Sequence, residues 1–226
     1  MKRHVLIVLT VFFISCSHKY YTSSYFDQQT AHHKIVAVLP AEMIFTGKQP
    51  EGLQTDDIIR IEETESVNFQ QSLYNAILRH ANTRKYFTRV NLQDISTTMR
   101  ILKEHNLSVT DTWRKDDKEL AEMLNVDAIV RLRVQKQRYM SDLASYGISV
   151  GRQIVYNTGI GSKIPVPYVP NKTNDIYASC NIISNNQTLW NDSYKAASDW
   201  NSPPNEIIEN ITDNFGKHFP YKERNR

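Results

Sequence analysis

The chain has 226 residues, 40% of them hydrophobic, enough for one domain with a well-buried core. Its 27 Lys and Arg nearly balance 24 Asp and Glu, a formal charge of +3, and nothing in their placement makes the clustered basic face that nucleic-acid binding needs. Only two cysteines are present, Cys16 and Cys180, so at most one internal disulfide is available.

Lys2, Arg3 and His4 make a basic start, and "VLIVLTVFFIS", Val5 to Ser15, is an uninterrupted apolar run. It is too short for a bilayer-spanning helix, which needs roughly 20 apolar residues, and has the form of a secretory leader. The run closes on Phe13-Ile14-Ser15-Cys16. This resembles the bacterial lipobox, with Phe13 where that pattern prefers Leu. The resemblance implies a signal peptide over 1–15, cleavage before Cys16, and acyl chains on Cys16 that anchor the protein in a membrane. Each buried CH₂ of such a chain contributes about 0.8 kcal/mol. By analogy with other lipoproteins, Ser17 rather than Asp after the Cys is compatible with delivery to the outer membrane. The alternative is an ordinary leader with an incidental Cys. With Cys16 acylated, Cys180 has no disulfide partner, and loss of Lys2 and Arg3 leaves 25 basic against 24 acidic residues.

Residues 16–33 then read as the lipidated Cys and a polar tether, since 17–33 show no apolar period. A folded domain is expected over 34–221, with a polar tail at 222–226. "KIVAVLP" (Lys34 to Pro40) predicts a buried strand stopped by proline. A long loop is expected next, carrying Gly47, Pro50, Gly52 and the acidic "DDIIRIEETE". Helical spacing starts at Ser66, with Phe69, Leu73 and Ile77 four apart and Arg79 and His80 in the last turn. "KYFTRV" reads as a strand, and Asn91 with Asp94 opens a helix striped by Leu92, Ile95, Met99 and Leu102. A shorter helix holds Leu120, Met123 and Leu124. In "VDAIVRLRVQKQRY", Val126, Ala128, Val130, Leu132 and Val134 alternate with Asp127, Ile129, Arg131, Arg133 and Gln135, which predicts a strand with one buried face and one that becomes polar. "DIYASCNIISNNQTLWNDSY" predicts a hairpin turning at Ser184–Gln187, with Cys180 beside Ile176, Ala178 and Ile182 as a small core residue. Ser202 and Pro203 start a last helix with Ile207, Ile211, Phe215 and Phe219 on one stripe, ended by Pro220. The order implies one α/β domain, a mixed sheet covered by helices, with an inserted Gly/Pro-rich arm at 140–174.

Three stretches together carry a second resemblance. "KIVAVLP", "LKEHNLSVTDTWRKDDKELAEMLNVDAIVRLRV" and "DIYASCNIISNNQTLW" with the closing helix resemble, in order, the motifs of a family. It contains the curli-secretion lipoprotein, the penicillin-binding-protein activator lipoprotein and the amino-terminal domain of TolB. Departures are Pro40-Ala41-Glu42 where the family has Pro-Phe, and Ser184–Gln187 in place of an acidic-and-glycine turn. The resemblance implies a TolB amino-terminal-domain-like fold and a periplasm-facing module that docks on another envelope protein without catalytic residues.

The residues point the same way. "PAEMIF" follows the first strand with no glycine to approach a phosphate, and "TGIGSK" lacks the P-loop spacing. Asp56, Asp57, Glu62, Glu63 and Glu65 have no EF-hand spacing and read as a solvated loop. His32 and His33 point opposite ways along an extended segment. No catalytic residue, cofactor or metal is therefore expected. In "ASYGISVGRQIVY", Tyr146, Ile148, Val150, Ile154 and Tyr156 alternate with small and polar residues. Pro165, Pro167 and Pro170 then interrupt what would be its barrel partner. The expectation is an extended arm whose Tyr146, Tyr156, Val166 and Tyr168 contact a protein partner. The alternative is an oligomeric outer-membrane secretion-pore subunit that inserts the 143–156 strand. Self-association is compatible with both.

Overall fold

The computed structural model describes residues 20–47, 54–139, 172–199 and 201–225. In chain order its elements are β1 (Tyr21–Thr22), α1 (Phe26–Gln29), β2 (Ile35–Val38), β3 (Glu42–Gly47), α2 (Thr55–Ala81), β4 (Tyr86–Thr88), β5 (Asn91–Leu92), α3 (Ile95–Glu104), α4 (Val109–Arg114), α5 (Asp117–Leu124), β6 (Ala128–Arg138), β7 (Lys172–Ser184), β8 (Gln187–Asp199), α6 (Pro204–His218) and β9 (Lys222–Arg224).

The main sheet runs β1-β8-β7-β6-β2-β5, with β3 also paired to β6. The chain forms one α/β domain with a mixed sheet: β6, β7 and β8 are antiparallel, while β2 and β3 both lie parallel to β6. Asn185 and Asn186 turn the β7–β8 hairpin with φ of 49° and 59°. Two positive φ values suit the twist of a hairpin, and Asn tolerates them. β2 and β3 are one strand broken at a proline. Val38 faces Val130 but Glu42 faces Arg133, a slip of one residue, at the point where Pro40 has no N–H to give the ladder. The strand resumes where the sequence predicts a loop.

Alternation sorts the core into two faces. Val36, Val38, Val130, Leu132, Val134, Ala178, Cys180 and Ile182 meet Phe69, Leu73 and Ile77 of α2 and Ile211 and Phe215 of α6. On the opposite face, Ala37, Leu39, Ile129 and Ile183 meet Leu102 of α3 and Leu120 and Leu124 of α5. Cys180 is buried, as its place in the hairpin predicts, and burial together with Asp192 pushes its thiol far up.

Several expectations need correction. α2 begins at Thr55, not Ser66, so the acidic stretch is helix rather than loop. Its first turns lack an apolar stripe; instead, the Asp57 carboxylate accepts from the Gln54 N–H at 3.1 Å and Glu65 pairs with Lys136. Asn91–Leu92 is a strand parallel to β2, and Asp94 alone caps α3, accepting from Ser96 N at 2.8 Å. The segment read as a tether is packed from Tyr20 onward. Tyr21 and Thr22 pair with Asn191 and Trp190 of β8, and the buried Phe26 stacks at 5.3 Å from Tyr221. One aromatic anchor in a polar stretch leaves no period to read. Lys222–Arg224 likewise pairs with β4 instead of forming a free tail.

Candidate docking site

The sequence-predicted site residues, Cys16, Tyr146, Tyr156, Val166 and Tyr168, lie outside the described residues, as does the 143–156 strand. Described are the elements to which those segments attach. The segment 140–171 joins the end of β6 to the start of β7, and Tyr20 follows Cys16 by four positions. No described helix is long and apolar enough to cross a membrane.

Beside the β6–β7 junction one half of the sheet has no helix over it among the described residues. The boundary falls within β6. Arg131 is tucked under α4 and α5, its Nη1 donating to the Thr112 carbonyl at 2.9 Å and its Nε to Asp117 at 2.8 Å, with the side chain 12% exposed. Two residues on, on the same face, Arg133 is 58% exposed. The short α4 and α5 cover the end of the sheet that holds Ile129 and Ile183, and beyond Arg131 no described helix lies over this face. Arg133 forms a two-pronged pair with Glu42 of β3, at 2.6 and 3.2 Å.

Next to it Tyr177 of β7 is 40% exposed, and Lys195 of β8 sits 4.8 Å from its ring centroid. Contact with the Tyr177 side chain and the charge of Asp175 hold the Lys195 ammonium above its usual range. Together with Gln135, Ser179 and Ser193 these residues line a shallow cavity of about 360 Å³. Every one of them comes from the polar half of an alternation the sequence displays, but sequence reasoning did not single them out.

A second concavity, of about 400 Å³, lies where the chain enters the domain, between Tyr20, Ser23, Trp190, Lys217, His218 and Lys222. The buried Asp192 carboxylate accepts from His218 Nδ1 at 2.8 Å, which holds the last turn of α6 on β8. Where α6 meets the end of α2, Asp213 accepts from Arg79 at 2.9 Å, His80 at 2.5 Å and Lys217 at 2.6 Å. Partial burial pushes this carboxyl up, but the three donors outweigh it and hold the group well below the usual carboxylate range.

No family model matches the chain, and no curated protein matches it. Among solved structures it is similar to lipoprotein GNA1162 from Neisseria meningitidis, at 11% identity, 82% coverage of this chain, 96% of that chain and a TM-score of 0.46. It is also similar to the PelC dodecamer from Paraburkholderia phytofirmans, at 8% identity, 82% and 85% coverage and a TM-score of 0.38. A third is the LpoB C-terminal domain from Salmonella enterica, at 9% identity, 74% and 83% coverage and a TM-score of 0.35. The α/β assignment itself stands on the strand order and pairing given above.

Proposed function

We propose that this chain is an outer-membrane lipoprotein, acylated at Cys16, whose α/β domain docks on another protein of the cell envelope and carries out no reaction of its own. The observation that carries the docking role is the uneven cover of the sheet. One face is packed by α2 and α6, while on the other α3 and α5 cover only the Ile129–Ile183 end, and no described helix lies over Arg133, Tyr177 and Lys195. A bare antiparallel face in water is ordinarily tiled with small polar groups. This one offers an exposed aromatic with a cation over it and an exposed arginine, residue types enriched where proteins meet. The leader and lipobox supply the membrane, and the family resemblance supplies the accessory role.

The test is a photo-crosslinking amino acid placed at Tyr177 in intact cells, with Arg100 on the outer face of α3 as control. One adduct of a single mass at position 177, absent at position 100, supports the reading. Equal labelling at both positions, or an adduct at twice the chain mass that assigns the face to a second copy, overturns it.

A further inference from the structure

We infer that the domain does not hang free of the membrane but lies against it, with the Tyr20 concavity and the tyrosines beside it facing the phospholipid headgroups. This inference rests on acylation of Cys16. The reach from the anchor is short. Four peptide steps from Cys16 to Tyr20 span at most about 14 Å even fully extended, and roughly 5–7 Å of that lies within the headgroup layer itself. What is left is less than the diameter of one helix.

No slack can be recovered from the domain. Immediately after Tyr20 the backbone is locked by pairing of Tyr21 with Asn191 and Thr22 with Trp190. The Ser23 N–H then donates to the Leu189 carbonyl at 2.9 Å, and the buried Phe26 follows. A chain end fixed this way holds the surface around it at the membrane, whatever residues 17–19 do.

The chemistry of that surface suits the boundary. Tyr20, Tyr21 and Tyr25 are 41%, 55% and 64% exposed, three large amphipathic rings within six residues. Tyrosine concentrates at membrane–water interfaces because its ring favours the boundary while its hydroxyl stays wet. Beside them, Lys217 and Lys222 line the concavity, and Lys222 and Lys85 flank the Tyr86 ring at 4.9 and 5.7 Å. Lys217 is shared with Asp213 and the Asp27 carboxylate also lines the concavity, while Lys85 and Lys222 bring the positive charge that anionic headgroups attract. The first turn of α6 belongs to a different part of the surface: Asn205 lies about 18 Å along the helix axis from Lys217 and lines a separate concavity with Asn68 and Gln71 of α2.

The experiment uses the full-length acylated protein in vesicles of phosphatidylethanolamine and phosphatidylglycerol that contain a nickel-chelating lipid. A nitroxide is attached through Ser24→Cys in one sample and Asn205→Cys in another. Cys180 is 1% exposed and does not compete for label. The expected result is a several-fold larger collision rate with headgroup nickel at position 24 than at 205. Replacing Tyr20, Tyr21 and Tyr25 together by serine should reduce that contrast. Intact mass and flotation are read on the same samples. An acylated, floating protein whose two labels collide equally overturns the inference and leaves the acylation reading standing. A protein without acyl mass that stays out of the vesicles overturns both.

Discussion

His33 and Tyr221 stand 188 residues apart and share a hydrogen bond of 2.7 Å between Nδ1 and the phenol oxygen. The bond joins the entry segment of the domain to its exit, next to the Phe26–Tyr221 ring contact. Burial pushes the Tyr221 phenol up and holds the His33 imidazole down, so the bond joins two neutral groups. Tyr221→Phe leaves a half-buried ring nitrogen without its partner and is expected to cost about 1–2 kcal/mol, read as a shift of the urea midpoint at unchanged slope.

The same histidine makes stability depend on pH. Burial holds its pKa below the ordinary 6.5, with Arg89 and His32 acting in the same direction against Asp127. Above pH 6.5 both folded and unfolded forms are neutral, and the contribution is complete. As pH falls through 6.5 the unfolded chain takes up a proton that the folded one refuses, so stability drops until the folded pKa is reached. Unfolding midpoints of wild type and His33→Gln should therefore converge on acidification across this window. A gap that widens instead contradicts the assignment.

Gly216 of α6 has no room for a side chain. A Cβ there would come within 2.7 Å of the carbonyl carbon and oxygen of Ala76 in α2. Gly216→Ala is expected to cost roughly 1–3 kcal/mol in thermal unfolding. Because the obstruction is backbone, Ala76→Gly should fail to rescue it.

Phe26→Ala removes the one buried ring of the entry segment. The expected loss is about 3 kcal/mol, with new protease cleavage between Tyr20 and Lys34. It also frees enough chain to lift the domain from the bilayer, so the nickel contrast at position 24 should fall with it.

Cys16→Ala should move the protein to the soluble or inner-membrane fraction while its unfolding curve stays unchanged. Continued flotation with outer membranes contradicts acylation of this residue.

Strands and helices with one continuous buried face were legible in the sequence. Val130, Leu132 and Val134 of β6, Cys180 and Ile182 of β7, and Phe69, Leu73 and Ile77 of α2 repeat at the period of their element because a neighbour covers one side. What escaped is held by single contacts. The first three turns of α2 carry no stripe, β3 follows a proline, and β1 and α1 rest on two paired residues and Phe26. The docking face was half legible. The alternation shows that Arg133, Tyr177 and Lys195 point away from the core, but whether a helix covers them depends on how far α4 and α5 reach. That is a matter of length and packing that Arg131 and Arg133, alike in sequence, do not reveal.

Arg138 and Asn174 are paired across the β6–β7 ladder. The chain thus departs and returns at points about 5 Å apart, already cross-linked by a register that continues to Ile129 and Ile183. Whatever is spliced between them closes a loop whose ends the sheet holds shut, and doubling its length costs only about 0.6 kcal/mol. The domain is in this sense a socket. A change in the length of what it carries leaves the β6–β7 register that closes the loop in place.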